Sequence, residues 1–143
     1  MQIKIGRGLG DLVFGMTEQE IYQVLGHPDK IYIDELEDRD LQYYQHKLVM
    51  KIEYGNDDRL GWIEVHNKSV QFPWCNPWIL DRQELLKNLE EMIGEEYFLE
   101  DYGHMESYFF KENWLELQFI LGELVCVNFG VFYGDNDVTL WPT

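Results

Sequence analysis

The sequence predicts an α+β fold: two tandem helix-plus-four-stranded antiparallel sheet units packed as one compact body. Three observations lead there. An internal repeat appears at a shift of about 64 residues, each copy opens with a helix start signal, and each helix is followed by four segments of strand character. In the first copy Thr17 is a candidate N-cap with Glu20 three residues on, and in the second Asp81 and Glu84 take the same places. Ile21, Val24 and Leu25 form one apolar stripe; Leu85, Leu86, Leu89, Met92 and Ile93 form the other. Gly26 and Gly94 stand where a helix end needs positive φ, so the second helix is about a turn longer.

The predicted strands of the first copy are residues 30–36, 41–46, 48–54 and 60–66, and those of the second are 96–102, 105–111, 114–121 and 123–133. Alternation is plain in Met50, Ile52 and Tyr54 against Lys51 and Glu53, and in Leu115, Leu117 and Phe119 against Glu116 and Gln118. Gly55-Asn56-Asp57-Asp58 and Leu121-Gly122-Glu123 are turn sequences, and such short connections require antiparallel neighbours. The joint carries Pro73, Trp74, Pro77 and Trp78, which predicts a stiff, packed connector. The expected organisation is a first repeat over 1–72, a connector over 73–79 and a second repeat over 80–143. Gly6, Gly8 and Gly10 have the spacing GxGxG with no parallel βαβ unit after them, so they read as turn residues rather than a dinucleotide loop.

The string Gly8-Leu9-Gly10-Asp11-Leu12-Val13-Phe14-Gly15-Met16-Thr17-Glu18-Gln19-Glu20-Ile21, continued by Leu25-Gly26-His27-Pro28-Asp29, resembles the "FGMT, helix, LG-x-P" opening of the β-lactamase-inhibitor-like superfamily. That superfamily includes the inhibitor itself and small outer-membrane assembly lipoproteins. The resemblance implies a helical segment packed on an antiparallel sheet, with two such units in the tandem inhibitor. This chain lacks the lipid-anchor Cys and the inhibitor-type Cys pairs.

Composition narrows the function classes. The 143 residues include 22 aromatic side chains, too many for a disordered acidic tail. Acidic groups number 27 against 11 basic, for a formal net charge of −16, which disfavours nucleic-acid and anionic-membrane partners. Residues 1–75 carry a net −5 and residues 76–143 a net −11, so the second half is the more negative pole. Cys75 and Cys126 are far apart and in no CxxC arrangement, and the opening Met1-Gln2-Ile3-Lys4-Ile5-Gly6 has no signal-peptide character. The expected location is cytoplasmic.

No catalytic, metal or cofactor site is legible at this level. His27, His46, His66 and His104 show no HxH, HxxE or HExxH spacing, so a metal site has to assemble in three dimensions. Cys126 sits in the apolar run from Leu124 to Val127 and reads as core. Carboxylates are too abundant for any pair to be singled out.

The candidate partner-binding residues are two acidic clusters at equivalent places in the repeat, Asp34, Glu35, Glu37, Asp38 and Asp40 in one copy and Glu100 and Asp101 in the other. Alternate aromatics join them: in Tyr43-Tyr44 and in Tyr108-Phe109-Phe110, neighbours point to opposite faces, so at least one of each set faces outward. Together they suggest a non-catalytic acidic protein-binding module, an immunity or antitoxin-like inhibitor of a basic toxin such as a nuclease. The alternatives are a small-molecule-binding or enzymatic domain with a tryptophan-lined pocket, and a structural subunit of an envelope or secretion assembly.

Overall fold

The computed structural model describes residues Met1–Thr143 and is mostly β. Three short strands open the chain: β1 (Ile3–Lys4), β2 (Gly8–Leu9) and β3 (Leu12–Val13). Helix α1 (Glu18–Leu25) is followed by β4 (Lys30–Ile33), β5 (Arg39–Tyr43), β6 (Leu48–Glu53) and β7 (Arg59–Val65). Helix α2 (Arg82–Ile93) is followed by β8 (Phe98–Asp101), β9 (Met105–Phe110), β10 (Leu115–Ile120) and β11 (Glu123–Gly130).

The predicted two helix-plus-four-stranded sheet units are incorrect. β4 to β11 form one eight-stranded antiparallel sheet in the order β4-β5-β6-β7-β11-β10-β9-β8, and β1-β2-β3 form a second, three-stranded sheet. The seam is the pairing of β7 with β11, in which Val65 stands opposite Val127, Ile63 opposite Phe129 and Trp62 opposite Gly130. Two isolated four-stranded sheets would present four open edges; joining them along β7 and β11 removes two and satisfies both rows of backbone groups. Of the glycines expected to be turn residues, Gly10 lies in a turn at φ +57, whereas Gly8 begins β2. Gly8 has φ +155, and a Cβ there would stand 1.9 Å from the Leu12 carbonyl oxygen, so the β2–β3 hairpin closes only around glycine. The Ile3 N–H bonds the Gln71 carbonyl at 2.7 Å, tying this small sheet to the chain just before the connector.

Both helices are capped as their sequences dictate. Thr17 Oγ1 accepts from the Glu20 N–H while the Glu20 carboxylate accepts from the Thr17 N–H, and Asp81 accepts from the Glu84 N–H. α1 buries only Ile21, and α2 buries Leu85, Leu86 and Leu89. Val24 and Met92, placed on the apolar stripes by spacing, are exposed.

One face of the large sheet carries the core. Leu41 and Tyr43 of β5, Leu48, Met50 and Ile52 of β6, Ile63 and Val65 of β7, Val127 and Phe129 of β11, Leu115, Leu117 and Phe119 of β10, and Tyr108 and Phe110 of β9 join the helix residues and Ile3, Leu9, Leu12 and Phe14 in one cluster. Over residues 73–79, Trp74 stacks on Phe72 at 5.1 Å and its indole N–H reaches Asn88 Oδ1 at 2.8 Å, while that of Trp78 bonds the Val70 carbonyl. The opposite face carries the alternate residues, among them Asp40, Lys51, Trp62, Glu64, Glu116, Gln118 and Phe109. No helix is long and apolar enough to cross a membrane.

Candidate functional site

The acidic residues of the first copy do not form a free, solvated cluster. Asp34 Oδ1 accepts from the N–H groups of Leu36 and Asp38 at 2.9 and 3.1 Å, and its other oxygen lies 3.2 Å from the Lys51 ammonium. Burial alone would raise the Asp34 carboxyl, but the Lys51 hydrogen bond and the two backbone donors outweigh it and lower the pKa. Asp38 accepts from the Tyr54 N–H at 2.9 Å. Asp40 stands opposite Lys51 of β6, whose ammonium lies 3.3 Å from its Oδ1; desolvation of the carboxyl outweighs that cation and raises its pKa. Asp34, Asp38 and Asp40 therefore hold the β4–β5 turn and its neighbours in place. Only Glu35 and Glu37, both exposed, have no assigned task, and Glu37 sits at φ +66.

The aromatic candidates divide the same way. Tyr43 is buried and its hydroxyl donates to the Gly26 carbonyl at 2.8 Å, which ties β5 to the end of α1. Tyr108 is buried against Phe119 and Tyr97. Neither is accessible to a partner. Tyr44 is exposed and Phe109 partly so, on the face away from the helices.

The free surface lies at the sheet's two outermost strands. All four residues of β8, Phe98, Leu99, Glu100 and Asp101, are exposed, as are all four of β4, Lys30, Ile31, Tyr32 and Ile33. Around β8, Tyr102 and Glu96 are exposed as well. The Tyr102 hydroxyl bonds the Glu100 carboxylate, and Asp101 accepts from the Gly103 N–H at 2.8 Å.

On the uncovered face, at the β7–β11 seam, a polar cluster assembles from residues some sixty positions apart. Glu64 and His66 are two residues apart and share one face. Because Val65 pairs with Val127, His66 falls beside Cys126 on the neighbouring strand. His66 Nε2 is 3.2 Å from Glu64 Oε2 and 3.8 Å from Cys126 Sγ. Its Nδ1 is 3.2 Å from the Val125 carbonyl oxygen, which only accepts, so Nδ1 carries a proton. Further along the row, Cys126 Sγ is 3.3 Å from Asn128 Oδ1, Asn128 donates to Glu116 Oε1 at 3.0 Å, and the buried Ser107 hydroxyl donates to Glu116 Oε2 at 2.5 Å. Burial, with Glu64 and Glu116 adding to it, pushes the Cys126 thiol well above the usual range. Glu64 and Cys126 address the same imidazole nitrogen, so the three residues cannot form a nucleophile, base and orienting-acid relay, which requires both ring nitrogens. The Glu-x-His spacing on a strand was the one sequence signal for this cluster; its cysteine lies on a strand whose pairing with β7 the sequence does not encode.

A surface pocket of about 400 Å³ is lined by Leu36, Asp38, Glu53, Tyr54, Gly55, Asn56, Tyr133, Asp137 and Thr139. It contains no tryptophan, unlike the pocket envisaged for a small-molecule-binding alternative. Its central carboxylate, Glu53, accepts from Asn56 Nδ2 at 3.1 Å and the Tyr133 hydroxyl at 3.5 Å and lies against Gly61, where a Cβ would meet its Oε1 at 1.7 Å. Desolvation raises its pKa. A carboxyl raised in the folded state stabilises the fold when protonated: the contribution is complete below the unfolded value of about 4.3 and lost as pH rises through the higher folded value. Denaturant unfolding of wild type and Glu53→Gln at about pH 7 and about pH 5 should therefore show wild type gaining stability relative to the variant at the lower pH; an unchanged difference would mean that Glu53 titrates normally.

No protein-family model matches the chain, and no curated protein does. Its fold is similar to that of a solved extracellular protein containing a SCP domain from Bacillus anthracis str. Ames, with a TM-score of 0.50 and 13% sequence identity over 82% of this chain. The likeness spans 43% of that protein, less than half its length, and concerns the fold alone.

Proposed function

We propose that this chain is a non-catalytic acidic binding module that captures and occludes a basic protein, in the manner of an immunity or antitoxin-like inhibitor of a toxin such as a nuclease. The observation that carries the reading is the β8 edge. Phe98 and Leu99 are 50% and 43% exposed beside Glu100 and Asp101, in the half of the chain with the greater negative charge. An outermost strand offers unpaired N–H and C=O groups to an incoming strand, and the flanking carboxylates steer a cationic partner toward it. The β4 edge has comparable apolar exposure, but it carries Lys30 and lies in the less negative half of the chain. The superfamily resemblance of the opening adds a precedent for inhibitory binding.

The reading requires a basic protein encoded beside this gene; that protein is the probe, with association followed by surface plasmon resonance at low and high salt, and the lack of such a neighbour counts against the reading. The on-rate should fall about tenfold or more as salt screens the field. Neutralising Glu96, Glu100 and Asp101 together, as Gln, Gln and Asn, should slow association at low salt, and Phe98→Ala should chiefly speed dissociation. Binding that ignores salt and survives both variants would overturn the reading.

A further inference from the structure

We propose that Glu64, His66 and Cys126 together bind one Zn2+-type cation, bridging the two halves of the sheet at the β7–β11 seam. Their ligand atoms, Glu64 Oε, His66 Nε2 and Cys126 Sγ, all lie within 4.8 Å of one another. A tetrahedral zinc at about 2.0 Å from oxygen, about 2.05 Å from nitrogen and about 2.3 Å from sulfur sets N···O near ~3.3 Å and N···S near ~3.5 Å. The observed separations are 3.2 and 3.8 Å, so the imidazole already stands at ligand spacing from both partners. The remaining closure, between carboxylate and sulfur, falls to the Glu64 side chain, which is 36% exposed and free to turn about its own bonds.

The imidazole ring is also held in place by its other nitrogen. Metal-bound imidazoles characteristically donate their other N–H to a carboxylate or a backbone carbonyl, which fixes the ring and its tautomer. His66 Nδ1 does this to Val125, one residue before Cys126, and turns Nε2 toward Glu64 and Cys126. The mixture of thiolate, imidazole and carboxylate suits zinc rather than calcium or magnesium, which take oxygen ligands. On binding, the Cys126 thiol releases its proton to solvent and water fills the fourth position, since His66 is exposed. Two ligands come from the end of the first half of the sheet and one from the second, so the ion cross-links the halves.

Reduced, metal-free protein titrated with Co2+ tests this directly. One equivalent should produce a thiolate-to-cobalt charge-transfer band together with the d–d bands of a tetrahedral site. The band should survive Cys75→Ser and disappear in Cys126→Ser. His66→Ala and Glu64→Gln, at accessible positions that leave the core intact, should each weaken Co2+ binding by about tenfold or more, and they decide the matter if Cys126→Ser fails to fold. Excess Zn2+ should raise the Tm of wild type and not that of His66→Ala. Absence of the band, its persistence in Cys126→Ser, or unchanged affinity in both His66→Ala and Glu64→Gln would overturn the assignment. The outcome is independent of whether a basic partner binds the β8 edge.

Discussion

Phe129→Ala should destabilise the protein by about 3–5 kcal/mol, the cost of emptying a large aromatic site in a packed interior. Phe129 is fully buried on β11, opposite Ile63 of β7 on one side and Leu115 of β10 on the other. The Phe14 ring meets it edge-on, with centroids 5.5 Å apart, so the N-terminal segment also packs on this residue. Truncation therefore removes contacts from both halves of the sheet and from the N-terminal segment at once. Urea unfolding should show a lower midpoint and a single transition, because the core is one cluster that crosses the seam. Two separate transitions in wild type, or a loss below about 1 kcal/mol in the variant, would mean that the halves fold independently and that the seam is not a core element.

Leu89→Ala should cost about 2–5 kcal/mol by the same cavity argument applied to a helix. Leu89 is fully buried in α2, between Leu85 and Leu86 one turn before it and Ile93 one turn after. Its control is Met92→Ala, on the same helix at 55% exposure, which should stay within about 0.5 kcal/mol of wild type. Helical spacing alone puts both residues on the apolar stripe, so the pair separates what periodicity suggests from what packing uses. Equal losses in the two variants would contradict the burial of α2.

The partner surface and the metal cluster differ in how far the sequence exposed them. Glu100 and Asp101 are exposed residues of an edge strand, whereas Tyr43 and Tyr108 of the same candidate set are buried. Alternation says that neighbours face opposite ways; it does not say which of them meets the core. Acidic character likewise marked residues 34–40 as a charged turn but gave no sign that Lys51, opposite Asp40 on β6, lies between Asp34 and Asp40.

What the sequence determined by itself was local. Thr17 with Glu20, and Asp81 with Glu84, start helices because their side chains reach donors only three residues away, and Met50 and Ile52 form a buried row because strand period is a property of the backbone. The tertiary structure decided the rest. β7 and β11 carry no local label for each other, and both their union into one sheet and the meeting of Glu64 and His66 with Cys126 depend on pairing between segments some sixty residues apart. Backbone hydrogen bonds are the same for any two strands, so the choice of partner comes from which union leaves the fewest open edges and buries the most apolar surface, a property of the whole chain rather than of any stretch within it.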